Sequence, residues 1–303
     1  MRELGGDGAF RPSFSGHETF PLRLLWLKKV HDAVGRGASP RLFSEPDAIA
    51  RFGVGRNMAL SMQFWAEAAG TIALDKDKIS ATEFGALLLN NNGLDPYLES
   101  QASIWTLHFH IASDPRRTTP YFVFNGLAAP EFDSAGLQRD LEAVARAAPS
   151  TRASATTIKR DIEVLLRSYV SRRAEGGEDA AEPLFAELGL IREKRAGSHY
   201  ELVRGPKPTL PDGVFAYALS RFWEERHGES PALTVDQVCF GPGSPGRVFK
   251  LDEHSVAIRL QAMEQVTAGK WRWTETAGLR QIQRVGNTQP FELLRYDFPG
   301  TQQ

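Results

Sequence analysis

Arg51-Phe52-Gly53-Val54-Gly55-Arg56-Asn57-Met58 joins a short helical pattern to a longer one through two glycines. Lacking a Cβ atom, a glycine takes the left-handed backbone that a tight reversal needs, so this stretch predicts the turn of a helix-turn-helix. Upstream, Ser44-Glu45-Pro46-Asp47 reads as a helix start, with Ser44 as cap and Pro46 in the first turn; Ala48, Ile49 and Phe52 supply its apolar side. Downstream, Met58, Met62, Trp65 and Ala69 share one stripe at helical spacing and are expected inside. Arg56, Gln63 and Glu67 fall opposite, with Asn57 and Ser61 on the flank. An exposed first turn carrying Arg and Asn suits phosphates and base edges, which makes Arg56, Asn57, Ser61 and Gln63 candidate DNA contacts.

The next residues extend the unit. Thr71-Ile72-Ala73-Leu74 and Ile79-Ser80-Ala81-Thr82 bracket the polar tip Asp75-Lys76-Asp77-Lys78, a hairpin that would be the wing; Thr82 then caps a helix through Leu89. Helix, helix, turn, helix, hairpin is the order of a winged helix. A small helical core with a hairpin that touches no nucleic acid has the same pattern.

Composition sets wide bounds. The 303 residues, 42% hydrophobic and 24% charged, leave room for two or three domains. A net charge of -1 carries no global nucleic-acid signature, so any such binding rests on local basic faces. The single cysteine, Cys239, excludes an internal disulfide and a cysteine-based zinc site, and fits a reducing, cytoplasmic setting as a buried apolar thiol. No run of about 20 apolar residues and no basic-then-apolar leader appears, so neither membrane insertion nor secretion is expected.

Phe14-Ser15-Gly16-His17-Glu18-Thr19-Phe20-Pro21 leads into a helix with the stripe Leu22, Leu25, Trp26, Val30 and Ala33. His17 and Glu18 are the first acid/base or metal candidates, although neighbours in an extended segment point to opposite faces and two ligands do not close a site. A polar cap under Phe14 and Phe20 is the structural alternative. Asp95-Pro96 is expected to open a helix reaching Ile111. In it His108 and His110 stand about 200° apart and cannot chelate one metal, so one is expected packed and the other exposed. Tyr121-Phe122-Val123-Phe124 reads as a short buried strand or core-crossing segment.

A helix is expected from Leu137 to Ala147, with a break at Pro149-Ser150. A further helix carries Ile158, Ile162, Leu165, Leu166 and Tyr169 inward and Thr156, Arg160 and Arg167 outward. Residues 139 to 173 hold eight Arg or Lys against four Asp or Glu, a local surplus that suits a DNA-facing element and equally a solvated basic helix. Lys159, Arg160 and Arg167 therefore join the candidate DNA contacts. After the acidic stretch Glu175-Gly176-Gly177-Glu178-Asp179, a helix Pro183 to Ile191 and a hairpin ending at Tyr200-Glu201-Leu202-Val203 suggest a second winged unit. Pro211 begins a helix to about Arg226; Thr234 to Val238, His254 to Thr267, and strands about Thr276-Ala277-Gly278 repeat the grammar a third time.

Gly241-Pro242-Gly243-Ser244-Pro245-Gly246 matches GxGxxG in letters, but its prolines remove amide donors that a phosphate cradle needs, and it reads as a stiff loop. No G-x-S-x-G, H-E-x-x-H or paired-cysteine motif is present. Asp161 and Glu163 diverge on their helix, while Asp75 and Asp77 share a face of the hairpin; neither pair makes a two-metal centre.

Phe14-Ser15-Gly16-His17-Glu18-Thr19-Phe20, Trp26-Leu27-Lys28-Lys29, Gly53-Val54-Gly55-Arg56-Asn57-Met58, Asp95-Pro96-Tyr97-Leu98-Glu99 and Trp105-Thr106-Leu107-His108 together resemble a bacterial family of unknown-function domains found with DNA phosphorothioation genes. The resemblance spans nearly the whole chain, with its specific motifs in the first 110 residues or so. It implies a role in systems that replace a non-bridging phosphate oxygen with sulfur, and DNA nicking beside a cysteine desulfurase, an ATP pyrophosphatase and an ATPase. His17, Glu18, Arg56, Asn57 and His108 are the matching positions, with no catalytic role secured for any; His17 and Glu18 are the ones to test, and the cofactor is Mg²⁺ or Mn²⁺ if the protein is a nuclease and none otherwise.

The resulting expectation is a mainly α chain with small β-hairpins (α+β), built of tandem winged helix-turn-helix-like modules. These are an N-terminal winged-helix domain (1–94), a helical connecting region (95–150), a second winged-helix-like module (151–207) and a C-terminal helix-turn-helix-like module (208–303). Its partners would be double-stranded DNA and the sulfur-transfer enzymes, with a homodimer as a candidate assembly and no membrane. A non-catalytic DNA-binding regulator and a protein-interaction scaffold are the alternatives.

Overall fold

The computed structural model describes residues 11–298 apart from 36, 45, 128, 149–150, 152, 172–182, 196 and 277. The acidic stretch 175–179 and the break at 149–150 therefore lie outside the described residues. Helices α1 (Leu24–Val34), α2 (Asp47–Phe52) and α3 (Arg56–Ala68) form the first cluster. The reversal between α2 and α3 is as expected: Gly53 sits at φ 68°, and its N–H donates to the Ile49 carbonyl at 2.9 Å. Two local details differ. Ser44 does not cap α2, because its hydroxyl donates to the Arg41 carbonyl at 3.1 Å; and Ile49 is 53% exposed, since Phe52, stacked on Phe43 at 5.0 Å, fills the space beneath the helix.

Strands β1 (Ile72–Leu74) and β2 (Ile79–Ala81) pair antiparallel, and Thr82 caps α4 (Glu83–Leu89) by accepting the Gly85 N–H at 2.9 Å. A third, one-residue strand completes this sheet: Ala38 exchanges two backbone hydrogen bonds with Ile79.

The same order recurs. Helix α5 (Gln101–Ser113) and the short α6 (Thr118–Tyr121), which runs into a π turn over Phe122–Gly126, precede β3 (Glu131–Asp133), α7 (Ser134–Arg146), α8 (Ala155–Tyr169) and the hairpin β4 (Ile191–Arg195) and β5 (His199–Leu202). Then α9 (Asp212–His227), β6 (Ala232–Thr234), α10 (Val235–Phe240), α11 (Pro245–Val248) and α12 (Glu253–Val266) lead to the hairpin β7 (Trp271–Thr276) and β8 (Leu279–Arg284), closed by α13 (Pro290–Arg295). In each sheet the lone strand pairs with the second strand of the hairpin, giving β3-β5-β4 and β6-β8-β7. Because β3 belongs to this sheet, the second unit begins before residue 150 and joins the segments 95–150 and 151–207.

Three local expectations fail. The helix after Asp95 starts only at Gln101, because the Asp95 carboxylate accepts the Glu99 and Ser100 N–H groups and the Ser103 hydroxyl, holding an irregular turn. Tyr121–Phe124 is helical, its polar neighbour Asn125 donating to the Ala112 and Tyr121 carbonyls. Pro183 to Ile191 holds a single 3₁₀ turn, Ala186–Leu188, and Ile191 already lies in β4. A continuous apolar core runs from Leu22 to Phe298. Among the described residues no helix is long and apolar enough to cross a membrane.

Candidate functional site

The segment Phe14 to Phe20 packs between α3 and α8. Its backbone is unusual: Ser15, Gly16, Glu18 and Thr19 have φ of 70°, 97°, 47° and 67°. A left-handed backbone is costly for a non-glycine residue, most of all for β-branched threonine, and persists only where surroundings over-determine it. Here a buried carboxylate does that. Asp161 accepts the Ser15 N–H at 3.0 and 3.1 Å, the His17 Nε2–H at 2.9 Å and the Thr119 hydroxyl at 3.3 Å. On the other side of the imidazole, Nδ1 accepts the Thr19 N–H at 3.1 Å, which fixes the Nε2–H tautomer. Arg167, two turns along α8, donates to the Thr19 carbonyl, and the Trp65 indole donates to the Phe20 carbonyl at 2.9 Å.

Beside the loop is a narrow cleft of about 40 Å³, room for one or two waters, lined by Ser15, His17, Thr119, Asp161, Ser168 and Tyr169. At its rim Arg117 lies over the Phe64 ring at 4.8 Å and pairs with Glu67 at 3.3 Å, while Arg116 pairs with Asp114 at 3.0 Å. Each arginine has its own carboxylate, so the rim has no surplus of positive charge.

The expected site residues separate accordingly. His17 is buried and Glu18 exposed, so the two do not converge. Both His17 nitrogens are engaged, which makes it a pin for the loop in this conformation. Arg56 and Asn57 stand exposed at the start of α3 and Gln63 is half-buried. Ser61 is a correction: it is fully buried, its hydroxyl inside the core, and cannot reach a nucleic acid. Lys159 and Arg160 are exposed, and Arg167 is exposed while bonded to Thr19. His108 is wholly buried, donating from Nε2 to the Val248 carbonyl at 2.9 Å and accepting the Tyr169 hydroxyl at 2.7 Å; burial pushes its pKa down to about 3. His110, expected exposed, is instead half-buried, stacked on Phe84 at 4.4 Å and hydrogen-bonded to Tyr217 at 2.9 Å.

Asp161 is the site residue that sequence reading passed over as a carboxylate diverging from Glu163. The signal was its place between Ile158, Ile162 and Leu165, all buried, where a charge needs partners. Among the described residues no three His, Cys, Asp or Glu side chains gather at one point. Asp161 accepts two hydrogen bonds on each oxygen, so the loop and its clasp do not form a divalent-cation cage.

The family model described as "Protein of unknown function (DUF4007)" matches residues 14–296. The chain belongs to the DUF4007 family. Its match begins at Phe14, the first residue of the clasped loop, and takes in all three units. This DUF4007 chain is also similar to two solved structures, an SspB crystal structure (TM-score 0.86, 26% identity, covering 97% of this chain and 91% of that one) and a magnesium ion-bound SspB crystal structure (TM-score 0.83, 26% identity, covering 96% and 89%). No curated protein matches it in sequence.

The second open feature of this DUF4007 protein is a groove of about 670 Å³ on the far side of α8 from Asp161. The start of α7, the outer edge of α8 and the β4–β5 turn enclose it, through Ser134, Gln138, Lys159, Glu163, Arg167 and Gly197. Arg167 thus lines the groove while holding the loop at Thr19. Helix periodicity explains this: Asp161 and Arg167 are six residues apart, about 240° around the axis, so they flank α8 on two sides.

Proposed function

We propose that this protein binds double-stranded DNA within a bacterial DNA phosphorothioation system, beside the cysteine desulfurase, ATP pyrophosphatase and ATPase, and that DNA nicking is the activity to test. The carrying observation is likeness to SspB over nearly the whole chain. The recurring lone strand, helices and hairpin, with two intervening α-helices in the first two units and three in the last, support a reading as three winged-helix modules. Arg56, Asn57 and Gln63 in the first unit and Lys159, Arg160 and Arg167 in the second are the contacts this reading offers. A homodimer would present these faces twice.

One observation favours the non-catalytic regulator as a second reading. For His17 to take a proton from water attacking a phosphodiester, the loop must first free Nδ1, the nitrogen with the lone pair, from the Thr19 N–H. Relaxation of supercoiled plasmid by the purified protein, with Mg²⁺, Mn²⁺ or chelator, decides between them. Metal-dependent open circles from the wild type, lost in His17→Ala/Glu18→Ala, are the result expected of a nickase centred on the loop. Nicking by both proteins would move the site elsewhere, and DNA binding without open circles would leave the regulator.

A further inference from the structure

If the three units are winged helices, the last α-helices before their hairpins, α3, α8 and α12, are the elements that would face DNA, and they are not equally free to do so. Past its first turn α3 is covered: Phe64 packs edge-on against His17 at 5.8 Å, Glu67 pairs with Arg117, and Trp65 is tied to Phe20. Helix α12 is open but exposes Glu264 and Ile258; its Glu253 is engaged by Arg280 and its Arg259 by Asp212 at 2.8 Å. A carboxylate and an isoleucine on that face repel or ignore a phosphate backbone.

Helix α8 differs. It presents Lys159 and Arg167 to a groove whose other walls are the start of α7 and the β4–β5 turn, over a floor of Ile162, Leu166 and Tyr200. Glu163 stands four residues from each cation, yet among the described residues it closes an ion pair with neither. Arg167 is held at the wall by its bond to Thr19, and a guanidinium has five N–H donors, so others remain for a ligand. A cation fixed in advance loses little rotamer freedom on binding. Two cations of the hairpin look away: Arg192 and Lys194 pair with Glu201 at 3.8 and 3.5 Å, and Arg192 and Glu201 sit in register on the face opposite Tyr200.

We infer that the groove between α7, α8 and the β4–β5 turn is the seat of the DNA phosphate backbone, with Lys159 and Arg167 as its phosphate-binding cations. This rests on the DNA-binding reading above and selects the second unit over the other two. Fluorescence anisotropy with a labelled 20-base-pair duplex, titrated across salt, tests it on the full chain. Lys159→Gln and Arg167→Gln should each weaken binding about eightfold at 0.1 M salt and lower the log–log salt slope by about 0.9, the loss of one phosphate contact. Arg192→Gln and Lys194→Gln should leave both unchanged. Lys159→Gln touches no bond to the Phe14–Phe20 loop, so its effect is free of any loosening there. Wild-type affinity in both groove variants, with weakening in Arg56→Gln, would overturn the groove while keeping the DNA reading. No binding by the wild type at 0.05 M salt would overturn both.

Discussion

Asp161 holds groups that the chain places far apart: Ser15, His17 and Thr119 all donate to one carboxylate that is 7% exposed. Removing it strands three donors, at a cost on the order of 1–3 kcal/mol each where no water can enter. The adjoining cleft admits one or two waters, which lowers the sum. Asp161→Ala should therefore destabilise the protein by about 3 kcal/mol in urea unfolding, and Asp161→Asn, which retains one acceptor oxygen, by about half that. Equal and negligible effects would show that the loop is held by its apolar contacts instead. His17 follows the same logic: its Nε2–H is held by Asp161, a partner 144 residues away that no neighbour in sequence announces, whereas the exposure of Arg56 and Asn57 follows from the helical stripe beside them.

At the scale of elements, the two key glycines have different duties. Gly53 terminates α2 at φ 68°, and a Cβ there would meet nothing within 4 Å, so Gly53→Ala should cost only the left-handed backbone, about 1 kcal/mol. Gly16 combines φ 97° with a Phe64 ring carbon 2.7 Å from where a Cβ would stand. Gly16→Ala should cost more, about 2–3 kcal/mol, by adding a clash to the backbone term. Thermal unfolding of the two variants side by side checks the order; a Gly53 variant as unstable as the Gly16 one would contradict it. The helices α3, α8, α9 and α12 were legible because each repeats an apolar residue every three or four positions. The one-residue strand at Ala38 and the strands β3 and β6 were not, for three residues show no period and their identity as strands lies wholly in their partners.

For the whole molecule, the buried titratable groups set a pH dependence. Unfolded histidine takes up a proton near pH 6.5, whereas His108 is held neutral to about 3 by burial. Between these values the unfolded chain binds more protons, so stability falls as pH drops through the window, by about 1.4 kcal/mol per unit. His110 is also lowered to about 3, again by burial first, and acts in the same direction. Asp297 opposes them: burial raises its carboxyl to about 6, so from there down to its ordinary value near 4 the folded chain holds the extra proton. Urea midpoints should fall from pH 6.5 to 4.5, and more steeply in Asp297→Asn, which lacks the opposing group; a flat profile would place His108 in contact with water. His108 lies at the junction of the second and third units, where it joins α5 to Tyr169 of α8 and Val248 of α11. Acid is thus expected to loosen that junction first.

By itself the sequence determined what repeats along a few turns of chain: the glycine reversal at 53, the apolar faces of the main helices, the hairpins, and the exposed Arg56, Asn57, Lys159 and Arg160. Such features arise from backbone geometry and side-chain period, which neighbours in sequence share. Only the tertiary structure decided that Ser61 lies inside, that His17 is bound by Asp161, and that Arg167 stands between loop and groove. The separation between His17 and its partner Asp161 is 144 residues. Whether a polar side chain faces water or a distant carboxylate depends on which segments pack together, and hydrogen bonding across that distance leaves no periodic trace.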